Sequence, residues 1–173
     1  LLTLPMLMFL GLPANVANGT NRIAIFLQNV VAVGSYKKQK VLYPKLDYKL
    51  ALPAVVGSLI GASLAVNINE QIMEYTIAGL LIVMFFLILL KPDRWVKSRA
   101  GATEAKPKVW QYVVFFFIGI YGGFIQAGVG FFLLAGLVLA AGYDLVKANA
   151  VKVFIVLIYT AFAIGVFIWN QQI

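Results

Sequence analysis

The sequence contains no cysteine and no histidine. Without thiolates or imidazoles, zinc and iron–sulfur centres, disulfides and thiol nucleophiles are excluded within this chain. No metal and no cofactor is expected. Acidic residues number only 6, mostly in segments that read as loops, which leaves little material for paired-carboxylate catalysis. An intramembrane enzyme would need a nucleophile, metal ligands or facing carboxylates, and none of these patterns is visible. Charge as a whole is scarce at 12%, against about a quarter in ordinary soluble domains. What fills the space is apolar: 62% of residues, with a mean hydropathy of +0.94. A soluble domain of 173 residues has no use for so much apolar surface, so the chain reads as an integral membrane protein whose partner is the lipid bilayer.

The net charge of +8 is not spread as a nucleic-acid interface would require, and no nucleic-acid partner is expected. Eleven of the fourteen Lys and Arg fall in two stretches, Lys37 to Lys49 and Lys91 to Lys108. Basic loops stay on the cytoplasmic side during insertion, which places both stretches there. Leu1 to Leu10 has no basic n-region and no cleavage pattern, so it reads as the second half of a span rather than a signal peptide. On this reading the chain is part of a longer protein, truncated at both ends.

In order, the spans are the half-span Leu1–Leu10, Asn15–Tyr36, Leu50–Val66, Ile72–Leu90 and Leu145–Trp169. Gly11-Leu-Pro13, Asn67-Ile-Asn-Glu70 and Ala141-Gly-Tyr-Asp144 supply turns, and Asp144 has the position of a helix N-cap. Gly57 to Gly61 and Ser58 to Ala62 are small-xxx-small pairs that let helices approach closely. Between the second basic loop and the last span lies Val109 to Ala141, without a single charge and too long for one bilayer crossing. Its middle holds Gly119, Gly122, Gly123, Gln126, Gly128 and Gly130. Glycine costs about 1 kcal/mol inside a helix, so the segment is expected to break at Gln126–Gly130. The three earlier glycines read as packing positions. Phe115–Phe117 and the tryptophans read as lipid-facing or interfacial.

A shift of 131 residues lays Gly11 on Gly142, Ala17 on Ala148, Asn18 on Asn149, Ala32 on Ala163 and Gly34 on Gly165. The expected architecture is therefore all-α and polytopic, with two pseudo-symmetric repeats: repeat 1 over 1–90, a basic cytoplasmic loop over 91–108 and repeat 2 over 109–173. If the broken segment is a re-entrant hairpin the repeats are inverted; if it crosses once they are parallel. The uncharged tail Trp169–Ile173 favours an outer location and hence inversion. Self-association into a homo-oligomer is left open.

Residues three and four apart share a helix face. Asn15, Asn18, Asn21 and Arg22 form one polar stripe; Asn149 and Lys152 form another at the matching place in the second repeat. A Lys or Arg at mid-membrane costs at least about 2.5–3.5 kcal/mol, and an anion offsets that cost well. The expected site is one for a small anion, contacted by Asn18, Thr20, Asn21, Arg22, Asn149 and Lys152, with Gln126, Gly128 and Gly130 as an irregular wall. Set against it, Arg22 can snorkel to the interface, Lys147 can pair with Asp144, and the asparagines can serve as interhelical glue. A non-transporting assembly protein and an anion channel are the competing readings.

Thr3-Leu-Pro5, Gly11-Leu-Pro13, Ala17-Asn-Gly-Thr-Asn-Arg22, Tyr36 before the basic residues, Pro53 and Gly57-Ser-Leu-Ile-Gly-Ala62 resemble the TauE/SafE sulfite exporter family. So do Gly122-Gly-Phe-Ile-Gln-Ala-Gly-Val-Gly130 and Ala148-Asn-Ala-Val-Lys152 in the second half. The resemblance implies a bacterial inner-membrane permease of two repeats that moves sulfite, sulfonates or related organosulfur anions. One feature departs from the family pattern: Val129 interrupts the second glycine cluster, and Gly136 stands near the place of a usual proline.

Overall fold

The computed structural model describes residues 3–42, 44–89 and 108–173, without the side chains of 44–48, 84, 87 and 88. The expected basic loop over 91–108 lies outside the described residues except for Lys108. Among the described residues the chain is all helical: α1 Thr3–Phe9, α2 Ala14–Lys38, α3 Pro44–Asn67, α4 Glu70–Leu89, α5 Val109–Phe124, α6 Val129–Ala135 and α7 Leu145–Trp169. A wider π-type turn, Gly136–Ala140, extends α6. Two of these helices, over Lys49–Asn67 and Leu145–Trp169, are long and apolar enough to cross a membrane, and less than half of each such window is buried. Large apolar side chains such as Leu52, Leu64, Phe117 and Ile168 face outward, as they do in lipid.

The turns follow their sequence signals. Gly11 after α1 and Gly142 after the π-type turn have φ of +92° and +75°, left-handed values that glycine adopts without a Cβ penalty. Asp144 accepts from the backbone N–H groups of Val146 and Lys147, both at 3.0 Å, and so caps α7. Asn69 does the same for α4 through Ile72 N–H at 2.8 Å. The first basic stretch is shorter as a loop than its charges imply. α2 runs on to Lys38 and α3 starts at Pro44, because lysine is a good helix former and proline suits a first helical turn.

The polar bridges fix the directions of the helices. Tyr36, near the end of α2, meets Asn149 at the start of α7, and Arg22, near the start of α2, lies 4.4 Å from the ring centroid of Phe167 at the end of α7. α2 and α7 are therefore antiparallel. Their bounds are also offset by 131 residues at both ends, Ala14 against Leu145 and Lys38 against Trp169.

α3 and α5 run parallel and touch backbone to backbone. A Cβ on Gly57 would strike Phe116, one on Gly61 would strike Ile120, one on Gly119 would strike Ala54, and one on Gly123 would strike Ser58. Two small-xxx-small ridges thus interlock, which is what allows so tight a pair. The buried apolar side chains form two clusters. One, around Leu50, Phe115, Val151 and Tyr159, sits at the end where α7 begins; the other, around Leu4, Ala62, Met73 and Phe167, sits at the end where α7 finishes. Phe115 corrects the lipid-facing expectation: it is fully buried in the hairpin of α5 and α6, near Gly136, whereas Phe117 is 63% exposed.

Candidate functional site

The long uncharged segment does break, and it folds back. α5 ends at Phe124, Ile125 is extended, and Gly128 at φ +78° turns the chain into α6. The break covers 125–128, so Gly130 lies in the first turn of α6 rather than in the break. The two ends of the segment meet again where Gln111 donates to the carbonyl of Ala140 at 2.6 Å. Near the turn, the Tyr121 hydroxyl donates to the carbonyl of Ala127 at 2.7 Å, and its ring packs edge-on to Phe132.

A helix that stops inside a bundle leaves carbonyls without partners. Here α2 supplies the donors. Arg22 donates from Nη1 to Gly122 O at 3.1 Å and from Nη2 to Gly123 O at 2.6 Å and Phe124 O at 3.2 Å. Asn18 adds a bond to the same Phe124 O at 2.8 Å. One turn earlier, Asn15 donates to Ile68 O at 3.2 Å, tying α2 to the turn before α4. Arg22 is fully buried, which removes the snorkelling alternative. The cation also faces the negative end of the α5 dipole. Most of the polar stripe on α2 therefore serves the backbone of its neighbours. Asn21, buried, is the exception in the stripe; neither it nor the half-exposed Thr20 makes a side-chain hydrogen bond among the described residues.

α7 grips the other side of the break. Gln126 is buried and its Nε2 donates to Thr160 Oγ1 at 2.7 Å. Lys152, half-buried, stands beside Gly130, with Gly128, Gly130, Phe131, Leu134 and Lys152 lining an open hollow of about 300 Å³. Its ammonium donates to Asn149 Oδ1, and Asn149 Nδ2 donates to the Tyr36 hydroxyl at 2.6 Å. Neither Arg22 nor Lys152 is paired with a carboxylate among the described residues.

The expected residues thus fall into two groups. Asn18 and Arg22 meet at the end of α5. Lys152, Gly128 and Gly130 meet at the hollow, with Asn149 bonded to Lys152 and Gln126 between the groups on the break. Arg22 lies level with α7 residues Tyr159 to Phe167, since it shares Gly122 with Tyr159 and stacks on Phe167. That is roughly 10–22 Å along α7 from Lys152. The structure does not bring the two cations together.

Sequence reasoning did not single out Tyr159 or Thr160, and it left Tyr36 out of the site. Tyr159 is fully buried, and among the described residues its hydroxyl has no hydrogen-bond partner, nor have Arg22 Nε, Gln126 Oε1 and Asn18 Oδ1. The signal for Thr160 was present: continuing the face of Asn149 and Lys152 by fours reaches Val156 and then Thr160. Tyr36 carried no such signal, because its partner lies 113 residues away.

A buried cation beside broken apolar helices is the chemistry of membrane transport proteins, and the relatives of this chain bear that description. It is 28% identical over 170 residues to a probable membrane transporter protein, ORF9, of a Sinorhizobium species, covering 98% of this chain and 64% of that one. It is 24% identical over 155 residues to a probable membrane transporter protein of Haemophilus influenzae, covering 87% and 58%. The family model for the sulfite exporter TauE/SafE matches residues 1–173, and the chain belongs to that family. It spans less than two thirds of the length of these curated relatives. No solved structure matches.

Proposed function

We propose that this protein carries a small anion, such as sulfite, a sulfonate or a related organosulfur anion, outward across a bacterial inner membrane. The observation that carries the reading is Lys152: a half-buried ammonium, without a carboxylate partner among the described residues, beside the glycine-lined hollow at the break. A lysine held there without a counter-charge is costly in lipid, and a transient anion offsets the cost. Lys152 and Asn149 contact the anion, while Gly128 and Gly130 let it approach the backbone and Gln126 holds the break to α7. Asn18 and Arg22 keep the end of α5 in place. Thr20 and Asn21, which stand beside Arg22 and so away from Lys152, are assigned to the anion's route rather than to its contact with Lys152.

The chain is a multi-pass protein of two pseudo-symmetric repeats, 1–90 and 109–173, joined by the basic loop 91–108, with that loop and 37–49 in the cytoplasm. The antiparallel, equally offset α2 and α7 support inversion of the repeats. So does the return of Ala140 to Gln111, which favours a re-entrant Val109–Ala141 over a crossing one. Rocking of one repeat against the other then exposes the hollow to each side in turn.

The test is sulfite flux in proteoliposomes. Lys152→Ala is expected to abolish saturable flux while the protein keeps its thermal unfolding midpoint; wild-type flux would remove Lys152 from the route. Counter-flow, in which unlabelled sulfite on one side accelerates labelled sulfite from the other, distinguishes a carrier from an anion channel.

A further inference from the structure

We infer that Tyr36 is a positioning residue for the anion site, fixing the Lys152 ammonium by orienting the side chain of Asn149; this rests on the reading of Lys152 as the anion's anchor. The three groups form one chain across the α2–α7 contact. Lys152 Nζ donates to Asn149 Oδ1, and Asn149 Nδ2 donates to Tyr36 Oη at 2.6 Å. All three side chains are half-buried, and Lys152 borders the hollow at Gly128 and Gly130.

The chemistry of each group determines the order. An ammonium has three donors and no acceptor, so only the oxygen end of the Asn149 amide can face it. The NH₂ end must then find an acceptor or stay unpaired in an apolar bundle, which costs about 1–3 kcal/mol. Tyr36 is that acceptor. An amide torsion has a broad, two-fold profile, so without the hydroxyl the amide has little to hold its face toward Lys152. A lysine side chain is a flexible four-carbon stem, and its charge is as well placed as its last fixed partner. The hydroxyl accepts one bond and donates none among the described residues. Packing alone does not call for this bridge. α2 and α7 already meet through small and aromatic groups, Gly19 against Phe167 among them.

The experiment is concentration-dependent sulfite flux into proteoliposomes containing the full chain. Tyr36→Phe, which removes one oxygen and keeps the ring, is expected to raise KM about tenfold, the size of one lost hydrogen bond in this setting, with Vmax and the unfolding midpoint unchanged. In an Asn149→Ala background the same change is expected to add nothing, because the link through which Tyr36 acts is already gone. An unchanged KM in Tyr36→Phe overturns the inference, and so does a lowered Vmax or midpoint at constant KM, which would make Tyr36 a helix tie only. Should Tyr36→Phe fail to reconstitute, Tyr36→Leu removes the same acceptor without touching Asn149, and there too an unchanged KM overturns it. Lys152→Ala keeps the two readings apart. Flux that survives Lys152→Ala removes the parent reading, whereas flux lost in Lys152→Ala but normal in Tyr36→Phe removes only the role of Tyr36.

Discussion

Arg22 Nη2 lies 2.6 Å from the carbonyl oxygen of Gly123, a bond between residues 101 apart in sequence that closes the C-terminal end of α5. With the neighbouring bonds to Gly122 and Phe124, one guanidinium satisfies three carbonyls that the helix itself leaves open. A planar fork of donors is suited to this, and a lysine is not.

Removing that fork should therefore cost stability before it costs specificity. Arg22→Ala leaves buried carbonyls unpaired at about 1–3 kcal/mol each, though not additively, so a loss of at least about 3 kcal/mol is expected. For a chain of this size that is roughly 6–12 °C in the unfolding midpoint of the detergent-purified protein. Arg22→Lys should fall between, because one ammonium cannot reach all three oxygens. An Arg22→Ala protein that melts with the wild type would mean that the α5 end is held by something else.

The glycines divide into two kinds that thermal unfolding can tell apart. At Gly61 and Gly123 an added Cβ meets backbone of the partner helix, so the α3–α5 pair must open. Overpacking of this kind costs about 1–3 kcal/mol, and Gly123→Ala is expected to lower the midpoint by at least about 2 °C. Among the described residues, Gly34, Gly79 and Gly165 have nothing within 4 Å of such a Cβ. At Gly34 the change to Ala should be neutral or add roughly 0.5–1 kcal/mol through helix propensity. Equal responses at Gly34 and Gly123 would contradict the interlocked ridges.

Much of this architecture was legible because membranes impose strong rules on local sequence. The hairpin break, the close helix pair and the N-cap of α7 each follow from residue types within a few positions of one another. The position of the break was legible only to within two residues, because two glycines, Gly128 and Gly130, compete for it. Gly128 takes the left-handed turn, and the bond of Gln126 to Thr160 then settles the register. The stripe Asn15, Asn18, Arg22 was visible, but its use was not. Whether an arginine faces an anion or three carbonyls depends on where α5 ends beside it, 100 to 102 residues away. Tyr36 was hidden for the same reason. Long-range partners of single polar groups leave no periodic trace.

Asp144 offers a small, clean check on the start of α7. Its carboxylate accepts from two N–H groups at the first turn, so Asp144→Ala is expected to cost about 1 kcal/mol, while Asp144→Asn or Asp144→Ser should retain most of the cap. The measure is the midpoint of unfolding again, with roughly 2–4 °C at stake. No difference between Asp144→Ala and Asp144→Asn would show the cap to be irrelevant to stability.

Gly130 is the position where transport and folding should come apart. It borders the hollow, and a Cβ there meets only Lys152 Cδ, at an ordinary 3.8 Å. Its helix is short, its backbone φ is not positive, and leucine is a better helix former than glycine, so Gly130→Leu should fold. The isobutyl group then occupies the space beside the ammonium that the proposed anion would need. Sulfite flux is expected to fall by at least about tenfold, corresponding to a binding penalty near 1.4 kcal/mol, with the unfolding midpoint preserved. Gly165→Leu, on an exposed part of α7 with open space around it, is the matched control and should transport normally. Normal flux through Gly130→Leu would place the anion's path elsewhere in the bundle, whatever Lys152 does.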